Sequence, residues 1–304
     1  MTATKTTPRL ASRLVNGILA IQPLANFAKQ QARDMMINRA EKMGVPWRSK
    51  VQELKKRDWE TELAKVVNSD LTYPDYYLTS FHAYENGNLN WDAALEVECA
   101  AYAVHAKIWP EAGTKGDAML RQSYHDVISA KIPDSPANIL DLGCGVGMST
   151  FALQKIYPQA KVTGIDLSPY FITVAKYNAQ QKEENITWQH VAAEKTDLPD
   201  ASFDLVSACL VFHELPQAAS QEIFTEARRL LNSGGYLTIM DMNPRSEVFL
   251  KMPPYILTLL KSTEPYLDQY FSLDFNQALT DAGFGEISII TNSPRHRTII
   301  AKKI

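Results

Sequence analysis

Cysteine is scarce in this chain. Cys99, Cys144 and Cys209 are its three, far apart and without a Cys-x-x-Cys pair. That argues against a disulfide framework or a zinc cluster and makes a reducing compartment, the cytoplasm, the expectation. Long hydrophobic runs are missing too, since none approaches the ~18 apolar residues of a spanning helix. The best stretch, Val15 to Ala28, follows Lys5, Arg9 and Arg13 as a signal peptide would. Asn16, Gln22, Pro23 and Asn26 interrupt it, which makes it a poor hydrophobic region. Internal repeats and low-complexity tracts are absent. The histidines show no His-Glu-x-x-His spacing, so no metal is expected. Net charge is nearly absent as well, with 31 Lys+Arg against 34 Asp+Glu giving −3.

What is present fits a soluble globular protein. Of 304 residues, 45% are hydrophobic and 21% charged, enough to bury a sizeable core. The small net charge conceals a division. Residues 1–65 carry 13 Lys+Arg against 6 Asp+Glu, a net +7, and residues 66–304 carry −10. A body of −10 lacks the basic stripe that nucleic acid requires.

The chain reads as three parts. Residues 1–70 form a basic helical arm. Leu10, Leu14, Ile18 and Leu19 recur at helical spacing, Pro23 interrupts, and a second helix runs from about Leu24 to Met43, before Gly44. A charged helix follows over about Lys50 to Val67. Residues 71–135 form an aromatic-rich cap, in which Tyr73-Pro74-Asp75-Tyr76-Tyr77 and Phe81-His82-Ala83-Tyr84 place five aromatics around one histidine. Helices are expected over Asp92–Lys107 and Asp117–Ala130. From residue 136 to 304 strands alternate with helices. Strands are expected at 138–142, 161–165, 186–191, 203–209, 236–240, 286–291 and 297–301, with helices at 148–156, 170–180, 218–231 and 275–282. This rhythm predicts an α/β, doubly wound, mostly parallel seven-stranded sheet. The short link before the last strand makes that strand antiparallel.

The strongest motif is Asp141-Leu142-Gly143-Cys144-Gly145-Val146-Gly147, between the first strand and its helix. Glycines at alternate positions let backbone turn sharply and approach a ligand closely, and the helix start behind them offers free N–H groups. Asp166 follows Gly147 by 19 residues, at the end of the second strand, where an acid can accept bonds from a ribose. A dinucleotide fingerprint needs Gly or Ala at the sixth position counted from Gly143; Met148 stands there.

These residues resemble the first motif of the class I S-adenosylmethionine-dependent methyltransferases. Gly164-Ile165-Asp166-Leu167-Ser168, Ala193-Glu194 with Leu198-Pro199, Ser202-Phe203-Asp204-Leu205-Val206 and Gly234-Gly235-Tyr236-Leu237 resemble its later motifs in order. The resemblance covers about residues 120–304 and is nearest to the ubiquinone/menaquinone-biosynthesis type. It implies a Rossmann-like fold and S-adenosylmethionine as cofactor. Gly143, Cys144, Gly145 and Gly147 would meet its methionine part, Asp141 its ammonium group directly or through water, and Asp166 its ribose. Leu167 would lie on the adenine, with Ala193 and Glu194 at the adenine edge. The acid that many relatives carry before the Ala-Glu pair is here Ala192.

The implied reaction is in-line methyl transfer to a small-molecule or lipid-like acceptor, such as a prenylquinone or an aromatic. It needs a general base only if the acceptor must lose a proton. His213, just beyond the fourth strand, is the first candidate, as base or as an ordering residue; His82 is the second. Tyr76, Tyr77, Tyr84 and Trp91 form either an apolar wall for the acceptor or plain cap core. Asp241 follows the fifth strand and would flank the acceptor. Glu96 and Glu98 are expected to face solvent. Two other readings stay open: a regulatory protein that binds S-adenosylmethionine without transferring its methyl group, and a nicotinamide-dependent oxidoreductase. The basic arm either lies on an anionic membrane surface as a peripheral contact or packs on the acidic body as a cap. Neither the acceptor nor the oligomeric state is specified.

Overall fold

The computed structural model describes residues 22–82 and 84–304. The helix expected from Leu10 lies outside the described residues. The first described element is α1 (Gln22–Lys42), and Pro23 lies within it. Gly44, at φ 86°, follows its end. The single helix expected over Lys50–Val67 is two, α2 (Trp47–Leu54) and α3 (Trp59–Leu63). Asp58 divides them, because its side chain accepts the Thr61 N–H and caps a new start. A 3₁₀ turn spans Asp75–Leu78. Asn90 caps α4 (Trp91–His105) by accepting the Ala93 N–H, and α5 (Gly116–Lys131) precedes the sheet.

The α/β part runs β1 (Asn138–Leu142), α6 (Met148–Ile156), β2 (Lys161–Asp166), α7 (Pro169–Lys182), β3 (Thr187–His190), β4 (Phe203–Cys209), α8 (Gln217–Leu230) and β5 (Leu231–Met242). Three short helices then appear, α9 (Glu247–Leu250), α10 (Pro254–Thr263) and α11 (Leu267–Ser272). No periodicity had marked them. The chain closes with α12 (Phe275–Asp281), β6 (Phe284–Thr291) and β7 (His296–Lys303). The seven strands lie in the order β3-β2-β1-β4-β5-β7-β6. All neighbours are parallel up to β5, and β7 is antiparallel to both β5 and β6. The last strand is therefore reversed as expected, but it enters the sheet between two earlier strands.

Strand side chains such as Leu140, Leu142, Val206 and Ile239 are buried among Phe224, Leu230 and Phe275. Full burial of each contributes about 1.5–3 kcal/mol. A second cluster joins Ile37, Trp47 and Trp59 of the arm to Leu95 and Ala103 of α4, and both to Phe171 and Val174 of α7. Packing thus runs across the division expected at residue 70. Charge does too. Lys50 reaches Glu98 at 2.8 Å and Lys55 reaches Asp92 at 2.6 Å. Arg33 pairs with Glu96, which also accepts from the Tyr84 hydroxyl at 2.8 Å. Glu96 therefore does not face solvent; it is buried because a guanidinium and a phenol satisfy it.

Candidate active site

Parallel strands end where their connecting helices begin, so their carboxyl ends form a rim of loops. A cavity of about 560 Å³ opens there. Its floor is the loop after β1 with the ends of β2 and β4; its walls come from α1, α4, the segment around Tyr76–Asn88, and α9 to α10.

The glycine loop follows from steric need. Gly143 has φ 63°, and a Cβ there would lie 2.6 Å from Val211 Cγ2. Gly145, at φ 53°, has nothing within 4 Å of such a Cβ and faces the cavity. Asp166 fastens this loop to β2. Its Oδ2 accepts the Gly145 N–H at 2.8 Å and its Oδ1 the Ser168 N–H at 2.8 Å. Burial pushes its pKa up to about 6, so a cationic ligand would be welcome beside it. Cys144, Leu167, Ala193 and Glu194 also line the cavity. Glu194 accepts a short hydrogen bond from the Tyr76 hydroxyl, and burial raises its pKa.

Two loop residues stand away from the cavity wall. Gly147 lies against Phe151 and Trp188, each 2.8 Å from where its Cβ would be. Asp141 is wholly buried beneath the loop. Its Oδ2 accepts from Ser149 and Thr150 hydroxyls, both at 2.7 Å, while its Oδ1 is buried without a partner among the described residues. Burial lifts its pKa to about 6. Direct contact with a ligand is thus corrected to a position one layer below, from which only a bridging group could be reached.

His213 sits on the 3₁₀ turn Phe212–Glu214 after β4. Its Nδ1 is 2.8 Å from Asp241 Oδ1, and its backbone N–H donates to Asp241 Oδ2 at 3.1 Å. Burial disfavours the imidazolium, yet Asp241, Glu264 and Glu214 outweigh it and raise the pKa to about 10. Asp241 is fully buried behind His213 and does not line the cavity, so it holds a histidine rather than flanking an acceptor. His82 faces the same space. Its Nε2 lies 3.2 Å from Glu264 Oε1 and 3.7 Å from Glu214 Oε1. Its side chain is 42% exposed, and it lines the cavity. Burial opposes its charge, but Glu264 and then Glu214 raise its pKa. Glu214 itself is pushed up to about 7 by burial, against the pull of the two histidines.

Tyr76, Tyr77 and Tyr84 line the cavity. Trp91 does not. Its ring packs on Trp59 and Tyr170, and its Nε1 donates to Glu60 at 2.7 Å, so it belongs to the cap core. Sequence reasoning missed Arg121, Glu214 and Glu264 as cavity residues. Glu214 adjoins His213 and was within reach of that argument. Glu264 stands 51 residues beyond His213 and gave no local sign. Among the described residues no cluster of His, Cys, Asp or Glu is placed to hold a metal.

Comparison with known proteins fits this geometry. A methyltransferase-domain model matches residues 139–235, from β1 to the start of β5. An uncharacterized methyltransferase of Synechocystis, sll0829, is 30% identical over 164 residues, covering 54% of this chain and 74% of that protein. A ubiquinone biosynthesis O-methyltransferase of Xylella fastidiosa is 32% identical over 149 residues, covering 47% of this chain and 58% of that protein. A phosphoethanolamine N-methyltransferase of Haemonchus contortus, solved with S-adenosyl-L-methionine, shares the fold at TM-score 0.51 and 14% identity, covering 76% of this chain and 60% of that one. The glycine loop at the strand ends, the acid that fastens it and these likenesses agree, and the chain belongs to the class I S-adenosylmethionine-dependent methyltransferases.

Proposed function

We propose that the cavity holds S-adenosylmethionine over the glycine loop and a small-molecule or lipid-like acceptor, of prenylquinone or aromatic type, under the cap. The observation that carries this reading is Asp166 bridging Gly145 and Ser168 at the cavity floor, where carboxylate lone pairs remain for the two ribose hydroxyls. Leu167 supplies an apolar face for adenine, and Ala193 with the Tyr76-held Glu194 lies at its edge. Gly143, Cys144 and Gly145 admit the methionine part. Asp141 reaches its ammonium through water, using the unpaired Oδ1. The acceptor class is supported by the tyrosine-lined, largely apolar walls and by the likeness to a ubiquinone-biosynthesis enzyme.

S-adenosylmethionine supplies a methyl group already activated on sulfonium sulfur. The chain's task is alignment and exclusion of water. The acids around the cavity favour a cationic donor, and its thioether product loses that attraction. His213, held as an imidazolium by Asp241, acts as a donor that positions the acceptor rather than as the base. The arm from residue 22 to 70 and the cap of residues 71–135 together cover the body of residues 136–304.

Titration calorimetry with S-adenosylhomocysteine tests the reading. The wild type is expected to bind, and Asp166→Ala to bind at least about tenfold more weakly, about 1.4 kcal/mol. Stabilisation by NADH in place of S-adenosylhomocysteine would overturn it.

A further inference from the structure

The helices that wall the cavity after β5 also carry bare apolar surface. From this stretch Phe249, Met252 and Leu260 line the cavity. Leu250, Tyr255 and Leu259 do not line it and are 71%, 45% and 44% exposed. Val248 and Ile256 do both, lining the cavity while large and exposed, and Val104 of α4 does the same from another wall. The mouth of the cavity is therefore rimmed by apolar side chains, and α9 and α10 extend that rim onto their outer face. Tyr255 and Leu259 stand one helical turn apart there. Of the twelve large apolar side chains exposed among the described residues, five fall between residues 248 and 259. Single exposed leucines are ordinary on a protein surface, but a cluster of this kind marks a contact.

The charges about this rim leave one sign over. Its acids are already paired, Glu247 with Lys251 at 2.7 Å and Asp268 with Lys261 at 2.5 Å. Arg295 lines the cavity from the turn between β6 and β7. That turn is fastened beside the start of α9, because the Asn243 N–H donates to the Arg295 carbonyl at 2.7 Å. Arg295 makes no ion pair among the described residues. Burial, and then the nearby Arg39 cation of α1, lower its pKa. Arg39 and Arg245 are exposed, and neither has an acid partner among the described residues. Guanidiniums gathered without a counter-charge favour an anionic neighbour.

An apolar face flanked by unpaired cations fits an anionic lipid surface. A second copy of this chain fits less well. Two-fold pairing sets one patch against itself, which brings Arg39, Arg245 and Arg295 towards their own counterparts. We propose that the outer face of α9 and α10 docks on an anionic bilayer, with Leu250, Tyr255 and Leu259 entering the interface, the three arginines at the headgroups, and the cavity mouth opening into the membrane. A lipid-like acceptor then passes Val104, Val248 and Ile256 without crossing water. That use of the dock rests on the acceptor reading above. The contact is distinct from one made by the basic arm: it belongs to helices after β5, and the arm supplies it with Arg39.

The test is flotation of the full chain with vesicles of phosphatidylcholine alone and of phosphatidylcholine mixed with phosphatidylglycerol, with S-adenosylhomocysteine affinity measured alongside by calorimetry. The wild type is expected to float with the mixed vesicles and to stay behind with the neutral ones. The double variant Leu250→Glu and Leu259→Glu changes two exposed side chains outside the cavity lining, and should weaken vesicle binding at least about tenfold. Arg39→Gln should weaken it about fivefold, the effect of one cation at the surface. Val67→Glu, at an exposed apolar position outside α9 and α10, should float like the wild type. All these variants should keep wild-type affinity for S-adenosylhomocysteine, which shows the fold intact. No flotation of the wild type, flotation indifferent to the double variant, or an equal loss in Val67→Glu would overturn the proposal. So would a dimer in sedimentation that the double variant abolishes while vesicles bind neither protein, since the face would then belong to a second copy. Failure of the wild type to bind S-adenosylhomocysteine while it still floats would overturn the cofactor reading and support the dock.

Discussion

His213 and Asp241 show how one buried pair fixes a protonation state. Neither residue is unusual alone, but the carboxylate sits on the inner end of β5 and the histidine on the turn after β4, so sheet registry brings them together. Asp241→Asn would leave a buried imidazole without its counter-charge and should destabilise the fold by about 3–5 kcal/mol. The sign of the pH dependence follows from linkage. The His213 pKa is raised from 6.5 to about 10, so its stabilising contribution is complete below the unfolded value and is lost as pH rises through the folded one. The Asp241 pKa is lowered, so the same pair fails from the acid side as pH falls through the depressed value. Urea unfolding of wild type should therefore show stability falling between roughly pH 6.5 and pH 10, and Asp241→Asn should flatten that slope. Equal slopes in the two proteins would contradict the assignment.

Among elements, the contact of α1 and α2 with α4 separates ion pairs that matter from those that do not. Glu96 is 3% exposed in its side chain and serves both Arg33 and Tyr84, whereas Lys55 and Asp92 are each 51% exposed. Glu96→Gln should cost about 3 kcal/mol in thermal or chemical unfolding, and Asp92→Asn should stay within about 0.5 kcal/mol of wild type. The same elements show what a sequence discloses. Strand runs such as Asn138–Leu142 and Phe203–Cys209, and the helix Met148–Ile156, were legible to the residue, because apolar runs and glycine turns are local signals. The helices α9 to α11 were not, since they are short and owe their form to packing, as where the Tyr270 hydroxyl bonds the Met242 carbonyl. The candidate site divides the same way. Its glycine loop and Asp166 are contiguous motifs, while Glu264 comes from one of the unforeseen helices and meets His82 only through the fold. Trp91 misled because an aromatic beside an aromatic-rich segment looks the same whether it faces a ligand or a neighbouring tryptophan.

At the scale of the molecule, the cavity is assembled from parts that the chain makes far apart: the arm and cap, the loops of the sheet, and the helices after β5. A ligand filling it touches all of them at once. Hydrogen exchange should accordingly slow on S-adenosylhomocysteine binding not only in residues 143–147 and 212–215 but also across residues 75–82 and 84–88. Protection confined to the glycine loop would mean that the cap takes no part in closure. The charge division has the same basis. Three cations of the arm, Arg33, Lys50 and Lys55, pair with acids of α4, and among the described residues no helix is long and apolar enough to cross a bilayer.

The place of β7 between β5 and β6 bears on the order in which the sheet can be completed. During synthesis β6 emerges before β7, yet its pairing partner is β7, which in turn needs the edge of β5. Until β7 leaves the ribosome, β5 keeps an open, apolar flank at Leu237 and Ile239, and β6 waits as an unpaired hairpin arm. Such an edge invites pairing with another nascent chain. The folding chain is therefore most open to aggregation in the interval before β7 docks, when most of the core has already been made.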